Sequence, residues 1–315
     1  MKVVLFYRPG EGHIDALLRA APGAEIIIAG DEGQAACLAA EAEVIMGNRY
    51  FLQTIDRAKK LRWFQSNSVG MDLVLTASDR LNGVTVTSAK GVYDREMAEH
   101  GLALALALAR ELHLFRDRQR ERRWEGTGLK SLSGGKALVL GYGGVGRTLS
   151  RLLADLGMEV TAVRRRPGVP EGSDPRVKVM WGPAWREELA ATALLILCLP
   201  LTPATRNLVD GAAIGTMKTG ALLVNIGRGG TVDEPALLGA LRTGKLGGAA
   251  LDVYGQEPPP EDSPLWGEPS LLMTPHVARS REAPPYRWEP LFAENLRRYV
   301  SDQPLLNVVD VSAGY

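Results

Sequence analysis

Through the first third of the chain, short apolar runs recur at regular intervals: VVLFY from Val3 to Tyr7, then EIIIA, AEVIM, LRWFQ and VTVT, the last ending at Thr87. They are rich in Val, Ile, Phe and Trp, which suit a pleated sheet covered on both faces. Between them, Ile14 to Ala20 and Asp31 to Glu41 carry helix-compatible sequence, so the rhythm is that of an open parallel α/β sheet. From Asp94 to Arg123 the pattern changes. LALALALA alternates with period two and reads as a strand on periodicity alone, but Leu and Ala are strong helix formers, and the flanking EMAEH and RELHLFRDRQRER are helical in character. The segment is expected to be one long helix whose small-residue face packs closely, between domains or against a second subunit. RDRQRERR at its end reads as a solvated helix end rather than a binding patch.

A second α/β run begins at KALVLGYGGVGR and continues through EVTAV, LLILCLP, ALLVNIG and GGAALDVY to LLMTPH. The stretches between these strands are long enough for the crossover helices that parallel strands require. After His276 come Pro284 and Pro285, a helix-like LFAENLRRYV and the tail PLLNVVDVSAGY. If that last helix folds back onto the first domain, the second run is an insertion within it. The expected domains are 1–95 with 282–315, and 96–281.

Composition narrows the function classes. A chain of 315 residues is long for one hydrophobic core, and 45% hydrophobic with 23% charged residues is ordinary for a soluble enzyme. A net charge of +1 gives no global attraction to nucleic acid or an anionic membrane, so any basic site must be local. With no signal-peptide pattern and no apolar run of eighteen residues, a cytoplasmic chain without a membrane partner is expected. Cys37 and Cys198, together with four histidines at no close spacing, argue against a disulfide framework and against a metal site.

Gly141, Gly143 and Gly146 form G-Y-G-G-V-G between the strand-like ALVL and the amphipathic RTLSRLLADLG. In that context the glycines permit a tight turn and a close backbone approach to a pyrophosphate, which the helix N-terminus stabilises. A glycine-rich turn without ligand is the plain alternative; against it, EVTAV follows at the distance of a second strand. Where an Asp or Glu would normally hold the ribose hydroxyls, Arg164 stands, followed by Arg165 and Arg166. An acid there repels the 2′-phosphate of NADP, and arginine removes that repulsion. Arg164, with Arg165 assisting, is therefore expected to select NADP. One or two guanidinium–phosphate bonds at roughly 1.5 to 3 kcal/mol each correspond to about tenfold to ten-thousandfold. For Arg166, beside Pro167, a solvated loop position is as good a reading.

Together these segments resemble the D-isomer-specific 2-hydroxyacid dehydrogenase family, over nearly the whole chain. SNSVGMD resembles its substrate-carboxylate loop, MAEHGLALALALAR its interdomain helix, GYGGVGR its coenzyme fingerprint and CLPLTPATRNLVD the segment beneath the nicotinamide half of the cofactor. MKTGALLVNIGRGGTVDEPALLGAL, LDVYGQEP and TPHVA are similar to the segments bearing its catalytic arginine, acid and histidine, and NVVDVSAGY to its usual ending. The resemblance implies an α/β fold of two doubly wound parallel-sheet domains, a Rossmann coenzyme domain inserted in a flavodoxin-like substrate domain. It implies reduction of a small 2-oxo acid of the glyoxylate/hydroxypyruvate type to the D-2-hydroxy acid, with hydride from nicotinamide C4, in a homodimer. NADP is the preferred cofactor on the arginine argument, with NAD possible.

That chemistry needs a cation for the carboxylate, a polarised carbonyl and a proton donor for the nascent alkoxide. The resemblance gives the first two tasks to Arg228, whose planar fork of donors suits them; a surface arginine in a turn is the plain alternative. It gives the proton to His276, acid in reduction and base in oxidation, a task for a group that titrates near neutrality. Glu257, stiffened by the PPP that follows, is expected to hydrogen-bond His276 and favour its imidazolium form. The formate dehydrogenase branch carries Gln at that place, so Glu257 points to a carbonyl/hydroxyl interconversion. The cofactor is expected on Gly141, Gly143, Gly144, Val145 and Gly146, on Arg164 and Arg165, and on Leu199, Pro200 and Thr205. It is further expected on Ile226, Gly227 and Arg228, on Asp252 through the nicotinamide carboxamide, and on His276. The substrate is expected on the amides of Val69 and Gly70, and on Arg228, His276 and Arg279.

Arg279 departs from the family pattern, which usually has a small residue there. It is expected to favour a substrate with a second anionic or polar group, with solvent or Glu282 as the alternative partner. Two other functions stay open at this point. One is a short-form phosphoglycerate dehydrogenase; the other, of a different class, is a dinucleotide-sensing, corepressor-like interaction protein.

Overall fold

A computed structural model of the chain describes residues 1–279 and 286–311. The chain divides into two compact units, Met1–Val92 with Arg281–Tyr315, and Tyr93–Ser280.

The first unit is a five-stranded parallel sheet. Its elements are β1 (Lys2–Leu5), α1 (His13–Ala20), β2 (Glu25–Ile28), α2 (Glu32–Ala39), β3 (Val44–Met46), the single-turn α3 (Phe51–Thr54), β4 (Trp63–Gln65), the single-turn α4 (Asp72–Leu75) and β5 (Thr85–Thr87). The strand order is β2-β1-β3-β4-β5, the doubly wound order of flavodoxin-like sheets. Val3, Val4 and Leu5 are fully buried, as a central strand covered on both faces requires. Asp31 caps α2 by accepting a hydrogen bond from Gln34 N at 2.8 Å. The helix Glu289–Val300 also belongs to this unit and packs on α1. It is fixed by Trp288 edge-on to Tyr7, centroids 4.5 Å apart, and by Gly10 N donating to Glu289 Oε1 at 2.8 Å.

The second unit opens with α5 (Asp94–Ala109) and α6 (Leu112–Arg120), which corrects the expectation of one long helix. The break lies at Glu111, whose backbone is left-handed at φ 52°. On α5 the buried positions Ala98, Gly101, Leu104, Ala105, Leu108 and Ala109 recur at three- and four-residue spacing, so the alternating LALALALA is helical. No residue of α6 is buried. The buried apolar stripe of α5 ends at Ala109, and after the turn at Glu111 the chain continues as a charge-rich helix.

Then follow β6 (Lys136–Leu140), α7 (Gly144–Asp155), β7 (Glu159–Arg164), β8 (Val177–Trp181), the single-turn α8 (Trp185–Glu188), β9 (Leu194–Leu197), α9 (Gly211–Thr216), β10 (Ala221–Asn225), α10 (Glu234–Arg242), β11 (Leu246–Leu251) and β12 (Leu271–Met273). All strands pair in parallel, in the order β8-β7-β6-β9-β10-β11-β12. That is the Rossmann order with a seventh strand, and it reverses direction between β6 and β9, where doubly wound sheets open a crevice at their carboxyl ends. The fold class is thus the one expected. Strand β8 is an addition to the sequence reading: it pairs only with β7 and buries only Val177, so its apolar signal is weak. Among the described residues no helix is long and apolar enough to cross a membrane.

Candidate active site

The carboxyl ends of six neighbouring strands of the second unit carry most of the residues singled out above. At the end of β6, Gly141 has φ 106°, and a Cβ there would lie 2.5 Å from Cys198 O. A Cβ on Gly146 would lie 1.8 Å from Gly141 O, so this glycine lets α7 press against the strand that precedes it. Gly144 abuts the Asp94 carboxylate in the same way, and Val145 packs on the core beside it. Gly143 differs. It is the N-cap of α7, it has no side-chain cap, and a Cβ there would meet nothing within 4 Å. The N-terminus of this twelve-residue helix therefore carries no side-chain cap, and the space beside Gly143 is open.

Arg164 is the last residue of β7, half-buried, and its Nη1 donates to Gly168 O at 3.0 Å. The guanidinium is thereby held at the strand end where a ribose-binding acid would otherwise stand. Arg165 and Arg166 are exposed.

After β9, Leu199 and Pro200 enter a tight loop closed by Thr205. Its hydroxyl donates to Pro200 O at 2.7 Å and accepts from Thr202 N at 2.8 Å, so Thr205 shapes the loop. After β10, Ile226 and Gly227 are buried and Arg228 is half-buried. A Cβ on Gly227 would lie 2.7 Å from Leu199 N and O, and one on Gly229 would lie 1.9 Å from Tyr254 C. The arginine loop is therefore wedged between the loops that follow β9 and β11. Asn225, fully buried, braces it: Oδ1 accepts from Gly227 N at 3.0 Å, and Nδ2 donates to Arg228 O at 3.0 Å. Arg228 Nη1 donates to Gly227 O at 2.7 Å, which fixes the start of the guanidinium. Nothing in the sequence reading pointed to Asn225.

Glu257 and His276 meet. His276 Nδ1 lies 2.6 Å from Glu257 Oε2, and Glu257 Oε1 accepts from Tyr254 N at 3.0 Å. An ionised carboxylate only accepts, so Nδ1 carries the proton and Nε2 is the ring nitrogen left for other chemistry. Both side chains are partly open to solvent, His276 at 49% and Glu257 at 35%. His276 stands at φ 53°, a left-handed conformation uncommon outside glycine.

Asp252 lies just after β11. Its side chain is 0% exposed; Oδ1 accepts from Thr274 Oγ1 at 2.6 Å and from Val277 N at 2.9 Å, and Oδ2 accepts from Ala278 N at 2.9 Å. Burial pushes its carboxyl up, but hydrogen bonds from His100, Thr274 and the two amides outweigh that and hold it below the ordinary carboxylate range. Arg279 comes three residues after His276, with its guanidinium carbon 4.9 Å from the centre of the Tyr93 ring. Its other expected partner, Glu282, lies outside the described residues. Val69 and Gly70 lie in the first unit, half-buried in the loop after β4. That loop is held by Ser68 N donating to Ser66 Oγ at 3.0 Å and Asn48 Nδ2 donating to Ser68 Oγ at 2.9 Å.

Residues 102–278 match the family model described as D-isomer specific 2-hydroxyacid dehydrogenase, NAD binding domain. A (S)-sulfolactate dehydrogenase of Chromohalobacter salexigens is 35% identical over 253 residues, 78% of this chain and 80% of that one. The structure of a D-isomer specific 2-hydroxyacid dehydrogenase from Xanthobacter autotrophicus, in complex with NADPH and MES, superposes with a TM-score of 0.83. It is 31% identical and covers 100% of this chain and 99% of its own. An NADPH-dependent glyoxylate/hydroxypyruvate reductase from Sinorhizobium meliloti, in complex with NADP and sulfate, gives a TM-score of 0.82 at 26% identity, covering 100% and 99%. The family model spans more than half of the 315 residues, and on that match and these likenesses the chain belongs to the D-isomer specific 2-hydroxyacid dehydrogenase family.

Proposed function

We propose that this oxidoreductase, which acts with a nicotinamide dinucleotide on a small hydroxy or oxo acid, prefers NADP and reduces 2-oxo acids of the glyoxylate/hydroxypyruvate type to D-2-hydroxy acids. The observation that carries the reading is the Glu257–His276 pair, a hydrogen-bonded acid and base at the carboxyl edge of the sheet, beside a strand end that carries Arg228. Gly141, Gly143, Gly144, Val145 and Gly146 would hold the cofactor's pyrophosphate and Arg164 and Arg165 its 2′-phosphate, and the bound cofactor would supply hydride. Leu199, Pro200, the loop closed by Thr205, Ile226 and Gly227 line its path. Arg228 grips the substrate carboxylate and polarises the carbonyl oxygen with charge-assisted hydrogen bonds. His276 gives its Nε2 proton to the oxygen that becomes the hydroxyl, and Glu257 holds the ring and balances the imidazolium charge.

A cytoplasmic homodimer goes with this reading. Both cysteines are free thiols, as a reducing compartment favours. The second subunit is supported by Leu112, exposed on α6, and by Trp124, wholly exposed in the segment after α6. Apolar surface of this kind marks interaction sites.

The test is steady-state kinetics of NADPH oxidation with glyoxylate, hydroxypyruvate, pyruvate and 2-oxo acids that carry a second anion. Turnover of at least one is expected. A protein that binds NADPH and oxidises none of it across that panel is instead a dinucleotide sensor.

Arg279 sets the place of the doubly charged acids in that series. The stacked guanidinium is a cation three residues beyond His276, and the sulfolactate of the relative's name is a hydroxy acid with a second anion. For an exposed ion pair the gain is at most about 1 kcal/mol, or about fivefold. Arg279→Ala is thus expected to lower kcat/KM for sulfonated or phosphorylated 2-oxo acids about fivefold relative to pyruvate. An unchanged ratio would put Arg279 outside the substrate site.

A further inference from the structure

His276 is held in the left-handed region at φ 53°, a conformation that a non-glycine residue keeps only where its surroundings over-determine it. The surroundings are one cluster built on the buried Asp252 carboxylate. His276 N bonds Thr274 O at 3.1 Å, and the next two amides, Val277 N and Ala278 N, both end on the Asp252 carboxylate. Thr274 Oγ1 lies 2.6 Å from Asp252 Oδ1 and 3.2 Å from His100 Nε2 on α5. The threonine hydroxyl has one proton, and the ionised carboxylate can only accept it. At the 3.2 Å contact the donor is therefore His100 Nε2, and the same nitrogen lies 3.4 Å from Asp252 Oδ1. A helix residue 174 positions before Thr274 in the sequence completes the ring of donors around a carboxylate with no exposure to water.

We propose that His100 is a positioning residue for His276: by donating to Thr274 and Asp252 it locks the 274–278 turn that presents the imidazole. This rests on the reductase reading only in that His276 is the proton donor there. A buried carboxylate deprived of a donor recovers polar partners by shifting the groups around it, and the groups around Asp252 are the turn itself. Loss of the donor then misaligns His276 without touching the cofactor cradle. Had Asp252 instead acted as a direct contact to the nicotinamide carboxamide, the same loss would weaken cofactor binding.

His100→Leu removes the donor. It is expected to lower kcat about tenfold, the scale of an outer partner of a catalytic histidine, with the NADPH dissociation constant within about twofold of the parent. His100→Gln, whose amide can donate from a similar reach, is expected to return kcat to within about threefold. In hydrogen-exchange measurements, the amides of Val277 and Ala278 should exchange about tenfold faster in the leucine variant and at the parent rate in the glutamine variant. If His100→Leu fails to fold, His100→Asn takes its place, its shorter amide leaving the same gap. Parent-like kcat and exchange in the donor-less variant overturn the proposal, and so does a raised NADPH dissociation constant at unchanged kcat. The exchange readout needs no turnover, so a chain inactive on every 2-oxo acid would defeat the reductase reading and leave this inference standing on its own test.

Discussion

Replacing His276 with glutamine is expected to lower kcat for 2-oxo acid reduction by about 10²- to 10⁴-fold, the usual worth of a positioned general acid. The geometry says why the loss should be large. Nδ1 is tied to Glu257 at 2.6 Å, and Glu257 is itself anchored by Tyr254 N at 3.0 Å, so Nε2 is the ring nitrogen available for proton transfer. A glutamine amide has similar reach and can still donate a hydrogen bond to the carbonyl oxygen. It cannot release a proton near neutral pH, so positioning is largely kept while the transfer is lost. Single-turnover measurement at saturating NADPH separates that step from product release. A glutamine variant keeping more than about one tenth of the parent rate would assign the proton to another group or to water.

Arg164→Asp is expected to reverse the cofactor preference, changing the ratio of kcat/KM for NADPH over NADH by about 10- to 100-fold. The sequence alone allowed up to about ten-thousandfold, from two strong guanidinium–phosphate bonds. The structure favours the lower end. Arg164 is half-buried rather than enclosed, one of its donors is already engaged by Gly168 O, and Arg165 is exposed, so water screens both charges. The carboxylate would restore the repulsion that selects NAD and accept the ribose hydroxyls in its place. The matched control is Arg166→Asp, which should leave the ratio within about twofold because Arg166 lies further along the exposed loop. An unchanged ratio in Arg164→Asp would remove this strand end from cofactor selection.

Much of the second sheet was legible because most of its strands are apolar runs followed within three residues by one of unusual type, Gly141, Arg228, Asp252 or His276, while β7 ends on Arg164 itself. Edge positions were not. VKVMW at β8 needs burial on only one side and mixes a lysine with large apolar residues, so its pattern is that of a loop as much as a strand. The helix break at Glu111 was invisible because it involves no glycine or proline; it follows from where the apolar stripe stops, which only packing reveals. In the candidate site, residues whose chemistry faces outward could be read, while their supports could not. Asn225 looks like the end of a strand in sequence, and His100 like one polar residue in an alanine-rich helix. The partners of Asn225 are its own next residues, reached only once the chain turns after β10, and those of His100 lie more than 150 positions away in loops that the folded sheet brings within hydrogen-bonding distance.

The first unit is assembled from the two ends of the chain, which sets an order of events as the polypeptide leaves the ribosome. The second unit is one continuous segment, 93–280, and every strand of its sheet has emerged once β12 is made. The first unit has all five strands by Thr87, but Tyr7 must wait for Trp288 and Phe292, and Gly10 for Glu289, before that side of its core can close. During that interval α1 exposes the apolar face that the last helix will cover. Of the two units, the one whose strands are translated earlier is thus finished later, and it is there that the nascent chain exposes apolar surface to chaperones.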